Sequence, residues 1–382
     1  QALAAFSHTD LSAKEKVMYA MLVSGICFAT ILLTQGMAIF CGLLTFSYAT
    51  ATNIRAPIWV IDPLVQHIGD NQPLRDTDVD RVRSVESVEW AAPLYVGSTQ
   101  ARLLGGGATQ SVTLVGLDAD TLAGAPTNIV DGSLLDLRRA QGVIVDDQFV
   151  AKMKEQRGVR LGLGDVFEMN DREAVIVGIA KVTPGMQGAV YVFTTWDRAK
   201  EYAPGQRKML THILAAPAPG NPIGEVARAI SEETGLKAVS ETEFKEMSIR
   251  WMLIHSPIPI VVGLMVGVGF IIGLGVSGQT FYTFVLENTR HLGALKAMGV
   301  GNRTLTMMIM AQAGIVGFAG FGLGVGLIST FFSLIPEGSA PMVMLWPIPV
   351  IVFVAIMLIC MATALLSVWR VTRIEPAIVF RS

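Results

Sequence analysis

Four long stretches of this chain contain no aspartate, glutamate, lysine or arginine, and they limit its fold more than any other feature. They are residues 17–46, 256–286, 304–336 and 338–369. Each is longer than the roughly 20 apolar residues that an α-helix needs to cross a bilayer. The chain is 52% hydrophobic and only 16% charged, whereas soluble domains carry about 25% charged residues. The sequence therefore predicts four transmembrane helices.

Basic residues lie at the ends of these stretches on one side only, and the loop at 336–346 carries Glu337 and no base. Because cytoplasmic loops are rich in lysine and arginine, we expect both termini and segment 287–303 to be cytoplasmic. The flanking bases are Lys14, Lys16, Arg290, Lys296, Arg303, Arg370, Arg373 and Arg381. The predicted limits are 1–16 (N-terminal segment), 17–50 (helix 1), 51–250 (outer domain), 251–286 (helix 2), 287–303 (cytoplasmic loop), 304–335 (helix 3), 336–346 (outer loop), 347–369 (helix 4) and 370–382 (C-terminal tail).

Region 51–250 is large enough to have a core of its own. Short apolar runs at 88–96, 99–104 and 111–117 read as strands, and 148–156 and 222–234 read as helices. The predicted fold is thus an α-helical membrane protein with four transmembrane helices. A large mixed α/β extracytoplasmic domain, expected to form two subdomains, is inserted between helices 1 and 2.

The second and third apolar stretches carry glycines at a spacing of four, which allows helix backbones to approach closely. One interpretation is packing within the chain, and the other is a homodimer interface. The residues concerned are Gly263, Gly267, Gly269, Gly273, Gly320 and Gly324.

The sequence lacks the motifs of nucleotide, metal and acyl-transfer chemistry: no G-x-x-x-x-G-K-[ST], no H-E-x-x-H and no G-x-S-x-G. The five histidines have no metal-ligand spacing, and the three cysteines all lie in apolar stretches. The acidic pair Asp146-Asp147 is interpreted as solvated surface. The apolar stretches hold no charged group, which argues against a proton-coupled pump. We therefore predict a chain that is not an enzyme, with no catalytic, cofactor-binding or metal-binding residue.

Segment 287–303 is a charged island between two apolar stretches. Its leucines and Met298 can project apolar side chains while Lys296 provides a positive charge. Gly299 and Gly301 favour a helix stop, and Asn302 can cap the next helix. The segment can dock as a short helix in a partner's groove, or it can lie on the membrane surface with basic anchors.

The run ENTRHLGALKAMG at 287–299 resembles the signature of the MacB/FtsX-type ABC transporter permeases, and the topology resembles their DevC-like members. Five residues match that signature, whereas His291 stands where the family usually has an acid. The matching residues are Arg290, Gly293, Lys296, Ala297 and Gly299. The resemblance implies an ATPase-coupling role for the whole run, including Glu287, His291, Leu292 and Leu295.

The resemblance also implies the partners and the location. A second copy of the permease and separate ATPase subunits, which hold ATP and magnesium, would work together in the lipid bilayer of a bacterial inner membrane. The outer domain would engage a periplasmic adaptor and possibly a TolC-like channel, for efflux of a lipid, glycolipid, peptide or drug-like substrate. The alternative is an FtsX-like signal transducer that activates a periplasmic hydrolase. No nucleic-acid partner is expected.

Overall fold

The computed structural model describes residues 13–103, 109–158, 160–185, 189–203, 210–287, 294–296, 298–335 and 341–372. The chain divides into two compact units. The helical unit comprises Gln1–Cys41, Pro257–Pro336 and Met342–Ser382, and the inserted domain comprises Gly42–Ser256 and Glu337–Pro341.

Helices and strands are labelled in chain order. The helices are α1 (Ala13–Ser47), α2 (Ala49–Asn53), α3 (Asp76–Arg83), α4 (Asp147–Arg157), α5 (Trp196–Tyr202), α6 (Ile223–Thr234), α7 (Glu241–His255), α8 (Ile258–Glu287), α9 (Asn302–Leu334) and α10 (Pro347–Thr372). The strands are β1 (Ile58–Ile61), β2 (Val88–Leu103), β3 (Thr109–Leu117), β4 (Ile129–Gly132), β5 (Gly142–Asp146), β6 (Val166–Met169), β7 (Arg172–Ala180), β8 (Val190–Thr195), β9 (His212–Pro217) and β10 (Lys237–Ser240).

Four helices in the described part of the chain are long and apolar enough to cross a membrane. The spans are Tyr19–Ser47, Ile258–Glu287, Asn302–Leu334 and Pro347–Val368. One buried cluster joins all four helices of the unit, with Leu22, Phe281, Ile309 and Ile356 among its members. The mixed α/β domain lies between the first and second spans, as the sequence predicts.

The inserted domain is built on a ten-stranded sheet, counted over the described residues. The strand order is β10-β1-β9-β2-β3-β8-β5-β7-β4, and β6 pairs with β2 and β7. Strand β2 is 16 residues long and joins two halves of the sheet. Its first part pairs with β9, for example Leu94 with His212, and its second part pairs with β3, for example Tyr95 with Gly116. The sequence predicts two subdomains, and in the structure one continuous path of strands connects the two halves of the sheet.

Alternating side chains of β1 enter different cores. Ile58 and Val60 pack with residues of α3 and α6, whereas Trp59 and Ile61 pack with Phe244 of α7. This follows from the two-residue period of a strand, which places successive side chains on opposite faces. Helices therefore cover both faces of the sheet at this end.

The boundary of the second span differs from the predicted 251. Helix α7 ends at His255 with Ser256 in an extended conformation (ψ 141°), and α8 begins at Ile258. The intervening Pro257 explains the break, because the residue before a proline is disfavoured in the helical conformation. Similarly, the cap of α9 is Gly301, whose carbonyl accepts the N–H groups of Thr304 and Leu305, and Asn302 is the first helical residue.

Candidate functional site

The segment between α8 and α9 is described only in part. Glu287 ends α8 with its side chain exposed, and Leu295 and Lys296 lie in a helical turn at 294–296. The predicted coupling residues Arg290, His291, Leu292, Gly293 and Ala297 lie outside the described residues.

A specific hydrogen-bond pattern ends this turn. The N–H of Gly299 donates to the carbonyl of Lys296 (3.1 Å), and the N–H of Val300 donates to the carbonyl of Leu295 (3.1 Å). Gly299 itself has φ +92°. This is the Schellman arrangement, in which a left-handed residue after the last helical turn satisfies the final carbonyls. The glycine is required because other residues rarely adopt a positive φ.

The side chains around this stop form a mixed apolar and basic surface. Met298 is 73% exposed and Leu286 is 47% exposed. Lys296 is half-buried and Arg303 is exposed. Neither cation forms an ion pair with another described residue. The arrangement can place a methionine in an apolar groove while Lys296 meets an acidic partner.

The six glycines singled out from the sequence lie in two different environments. Four of them face α1: a Cβ added at Gly324 would stand 2.6 Å from the Cβ of Thr30, and one at Gly320 would stand 2.7 Å from Ile26. Gly269 and Gly273 approach Leu32 and Ala29 at 3.1 and 3.0 Å. These four positions pack helices within the chain.

The other two glycines, Gly263 and Gly267, have no atom within 4 Å of an added Cβ. They lie on a face of α8 where Ile260 and Leu264 are 69% and 66% exposed. Such a surface is compatible with lipid or with another helix, so these two glycines retain both interpretations.

The inserted domain contains a cavity of about 280 Å³. Phe46 and Thr50 line it from the end of α1 and from α2, while Trp251 and Met252 line it from α7. His67 contributes from the loop after β1, and strands β2, β3 and β8 complete the wall.

Among the described residues, no aspartate, glutamate, lysine or arginine lines this cavity. The His67 ring packs against that of Trp251 with a centroid distance of 3.9 Å and an interplanar angle of 36°. Burial lowers the pKa of His67, and the nearby Asp70 opposes that change only in part. The backbone N–H of Gly69 donates to Nδ1 of His67 (3.0 Å), so the neutral ring carries its proton on Nε2.

A second buried polar group lies at the start of α4. Asp146 is fully buried and caps the helix by accepting the N–H of Gln148 (3.1 Å). Burial raises the pKa of Asp146 to about 8, and its neighbour Asp147 adds to the shift. The prediction of a solvated surface pair is therefore wrong for Asp146, which is the last residue of β5, a strand in which every residue is buried. Over the described residues, no group of three or more potential ligands could hold a metal ion.

Sequence reasoning did not identify the cavity. Its residues come from six separated parts of the chain, at 46–50, 67–71, 96–98, 113, 185–191 and 248–252. None of these parts carries a motif, and only the folding of the sheet and of α7 brings them together.

Comparisons with known proteins agree with this architecture. Residues 19–233 match the family model of the MacB-like periplasmic core domain, and residues 263–376 match that of the FtsX-like permease C-terminal domain. None of the curated proteins matches the chain.

Two solved structures are similar to the inserted domain. The extracellular domain of the noncanonic ABC-type transporter YknZ from Gram-positive bacteria is 14% identical, covers 48% of this chain and 99% of its own, and gives a TM-score of 0.35. The periplasmic region of MacB from Actinobacillus actinomycetemcomitans is 13% identical, covers 50% of this chain and 92% of its own, and gives a TM-score of 0.38.

Four helices long and apolar enough to cross a membrane, with an α/β domain between the first two, define a membrane protein with the plan that these two family models describe. Since the first family model covers more than half of the chain, the chain belongs to the MacB/FtsX-type family of ABC transporter permeases.

Proposed function

We propose that this chain is the permease subunit of an ABC exporter in the bacterial inner membrane. A separate ATPase would bind segment 287–303, and the spans would transmit its motion to the inserted domain in the periplasm. Two permeases would work with two ATPases, and a periplasmic adaptor with a TolC-like channel would receive the cargo.

One observation carries this proposal. Between two spans, a helical turn with a fixed Schellman end exposes Met298 beside the half-buried Lys296. A short helix with apolar anchors and a nearby charge is a common way to occupy a partner's groove. A fixed end is useful for transmitting force, because it sets the position of the turn relative to the start of α9.

The composition of the spans supports export without a polar path through the helices. The four spans contain no charged residue between Tyr19 and Phe46, between Ile258 and Leu286, between Thr304 and Leu334, or between Pro347 and Val368. Membrane proteins that conduct ions or protons usually place such residues in their spans. Cargo would therefore be handled by the inserted domain or taken from the outer leaflet.

Co-purification with the ATPase tests the docking step. We expect Lys296→Glu to reduce retention of the ATPase about ten-fold, the equivalent of roughly 1.4 kcal/mol of binding free energy. Lys154→Glu is the matched control, because Lys154 is an exposed lysine on α4 of the inserted domain. Retention that is equal for Lys296→Glu and the wild type would contradict the docking role.

Substitution of Gly299 tests the geometry rather than the charge. Gly299→Ala places a side chain at φ +92° and should strain the helix end by about 1 kcal/mol or more. We expect weaker coupling, measured as the stimulation of ATP hydrolysis by the permease. Gly301→Ser is the control, because Gly301 has φ −68° and ψ 151° at a helix cap, where serine is favoured. If both variants stimulate hydrolysis like the wild type, the fixed end has no role in coupling.

The same complex distinguishes export from signalling. An exporter releases cargo from cells faster than a strain lacking the permease does. An FtsX-like transducer leaves release unchanged and instead raises the activity of a periplasmic hydrolase, and that result would replace the exporter proposal.

A further inference from the structure

We propose that the cavity of the inserted domain binds the uncharged apolar part of an amphiphilic cargo. This inference rests on the proposed exporter function, because it assigns a cargo class and a binding place to that function. The cavity lies entirely within the inserted domain, and its residues are all among those described.

Several polar side chains of the wall are already occupied by internal hydrogen bonds. Ser248 donates to the carbonyl of Phe244 (3.0 Å) and accepts the N–H of Ile68 (3.0 Å). The hydroxyl groups of Thr50 and Tyr191 bond to each other at 2.9 Å. Ser47 donates to the carbonyl of Leu44 (2.6 Å). A ligand therefore gains little by bringing polar groups to this part of the wall, since each new bond would replace an existing one.

The rest of the described wall combines aromatic and apolar residues with Asn71, Ser98 and Thr113. Phe46, Trp251 and Met252 contribute apolar area, and burial lowers the pKa of His67, whose ring lies tilted against that of Trp251. With no formal charge in the wall, a charged ligand group would lose its hydration without gaining a partner, which costs free energy. The chemistry therefore favours an uncharged hydrocarbon or aromatic group.

The size of the cavity limits what can enter. Binding pockets for whole drug-sized molecules are about 300–1,000 Å³, and this cavity, at about 280 Å³, lies just below that range. It accommodates the apolar part of an amphiphile more readily than the whole molecule. His67 Nε2–H is the imidazole donor that can orient a neutral oxygen of the ligand.

The place of the cavity in the chain suits cargo handling. Phe46 and Ser47 are the last residues of the first span. Trp251 lies in α7, the helix that comes immediately before the second span at Ile258. These wall residues are joined to both spans along the backbone, so movement of a span would be passed toward the wall. Under the proposed function, the ATPase cycle would thereby alter affinity for the bound group.

Photolabelling of the full-length permease in phospholipid nanodiscs tests this inference. The probe is a monoacylglycerol with a diazirine in its chain, and the comparison probe is the same molecule with a carboxylate at the end of that chain, which is anionic at pH 8. Labelled peptides are mapped by mass spectrometry. We expect the neutral probe to label the peptide that contains Trp251 and Met252, and the anionic probe to label it about ten-fold less, because a charge gains no partner in this wall.

Two variants fill the cavity and one serves as a matched control. Ser98→Phe on β2 and Thr113→Phe on β3 add a ring to lining positions that face each other in the strand register. Each should lower labelling about ten-fold, the loss of roughly 1.4 kcal/mol of binding free energy. Ser111→Phe lies on the same strand as Thr113, is exposed and does not line the cavity, so it should label like the wild type. Ser98 is itself exposed, so a larger side chain should be tolerated there. Ser98→Phe can therefore still be tested if Thr113→Phe fails to fold.

Three results would overturn the inference. They are labelling of the filled variants at the wild-type level, equal labelling by the two probes, and labelling in detergent that disappears in nanodiscs. The last result would assign the cavity to bilayer acyl chains.

These experiments distinguish failure of the exporter proposal from failure of the cavity proposal. If Lys296→Glu loses the ATPase and the wild type exports nothing, labelling that still depends on Ser98 supports a ligand site without an exporter. If export proceeds but labelling ignores Ser98, the cavity assignment alone is wrong.

Discussion

The helical unit and the inserted domain satisfy their buried polar groups in different ways. In the helical unit, Thr30, Thr363 and Ser367 each donate to the carbonyl four residues earlier in the same helix, at 2.8 Å. The inserted domain has local bonds of this kind as well, such as Ser248 to the carbonyl of Phe244, but it also has bonds that connect distant parts of the chain. Asn53 donates to the carbonyl of Thr183 and accepts its N–H, both at 2.8 Å.

The units also differ in how their elements approach one another. Helices α8 and α9 meet α1 through glycines, whereas the inserted domain packs large rings such as Trp59, Tyr191 and Phe244. Helices whose hydroxyl groups bond to their own backbone can shift past one another without breaking those bonds. Long-range bonds and packed rings resist such shifts within the inserted domain. Under the proposed function, this difference would suit a helical unit that transmits motion and a domain that receives it.

The largest effect should follow from removing the central ring of the inserted domain. Trp59 is fully buried, with ring centroids of His212 and Phe244 at 5.5 and 5.4 Å. Trp59→Ala should lower the free energy of unfolding by about 3–5 kcal/mol. The measurement is thermal unfolding followed by near-ultraviolet circular dichroism.

Trp59→Phe is the control for this experiment. Among the described groups, the indole Nε1 has no hydrogen-bond partner, so phenylalanine retains much of the ring and removes a buried polar group that is unsatisfied. It should therefore cost much less than alanine. Equal destabilisation by the two variants would show that ring packing does not dominate this core.

A smaller effect is expected at the glycine contacts of the helical unit. A Cβ at Gly324 would meet Thr30 at 2.6 Å and the carbonyl oxygen of Cys27 at 2.9 Å. Gly324→Ala should therefore cost about 1–3 kcal/mol by overpacking, measured by unfolding in mixed detergent micelles.

Gly322 provides the comparison, since an added Cβ there has no neighbour within 4 Å. Gly322→Ala should leave stability unchanged or raise it by up to about 1 kcal/mol, because alanine is the better helix former. If Gly324→Ala behaves in the same way, close approach does not hold α9 to α1.

The sequence predicts the helical unit better than the inserted domain, for a physical reason. A span must be apolar over its whole length, so the absence of charge locates it from local composition alone. The absence of charge alone does not give the limits: the apolar stretch at 338–369 includes residues 341–346, which are not helical, whereas the predicted start of helix 4 at 347 is where α10 begins. Absence of charge does not distinguish a helix from an apolar loop.

Strand pairing in the inserted domain depends on partners far apart in sequence. The runs at 88–96 and 99–104 are predicted as separate strands, yet they form the single strand β2, which pairs with β9 and then with β3. Strand β1 pairs with β9 and β10, more than 140 residues away. Local propensity does not predict partners that are so far apart in sequence, so it does not predict the cavity either.

Segment 287–303 is intermediate between the helical unit and the inserted domain in how well the sequence predicts its structure. Glycine at 299 predicts a helix stop, and the structure places Gly299 at φ +92° in that role. The sequence predicts Asn302 as the cap of α9, whereas the cap is Gly301, one residue earlier. Composition does not distinguish two neighbouring residues that can both serve as caps.

The smallest effect concerns pH, and it contrasts two buried groups of the inserted domain. Burial raises the pKa of Asp146 to about 8 and lowers that of His212 to about 4. Between pH 4 and 8 the folded state holds the Asp146 proton while the unfolded state loses it, so this group makes stability fall as pH rises. Between pH 4 and 6.5 the unfolded state protonates His212 while the folded state does not, so this group makes stability rise with pH. The two effects oppose each other below pH 6.5, and Asp146 acts alone above it.

Asp146→Asn should therefore change the slope of the unfolding free energy against pH more than it changes the unfolding free energy at any one pH. From pH 6.5 to 8 the wild type should lose up to about 1.4 kcal/mol per pH unit, and the variant should lose little. From pH 6.5 down to 4 the variant should become less stable, because the uncompensated charging of His212 in the unfolded state remains. Unfolding temperatures measured across pH 4–8 check both parts. The same slope in both proteins above pH 6.5 would show that Asp146 is ionised in the folded domain.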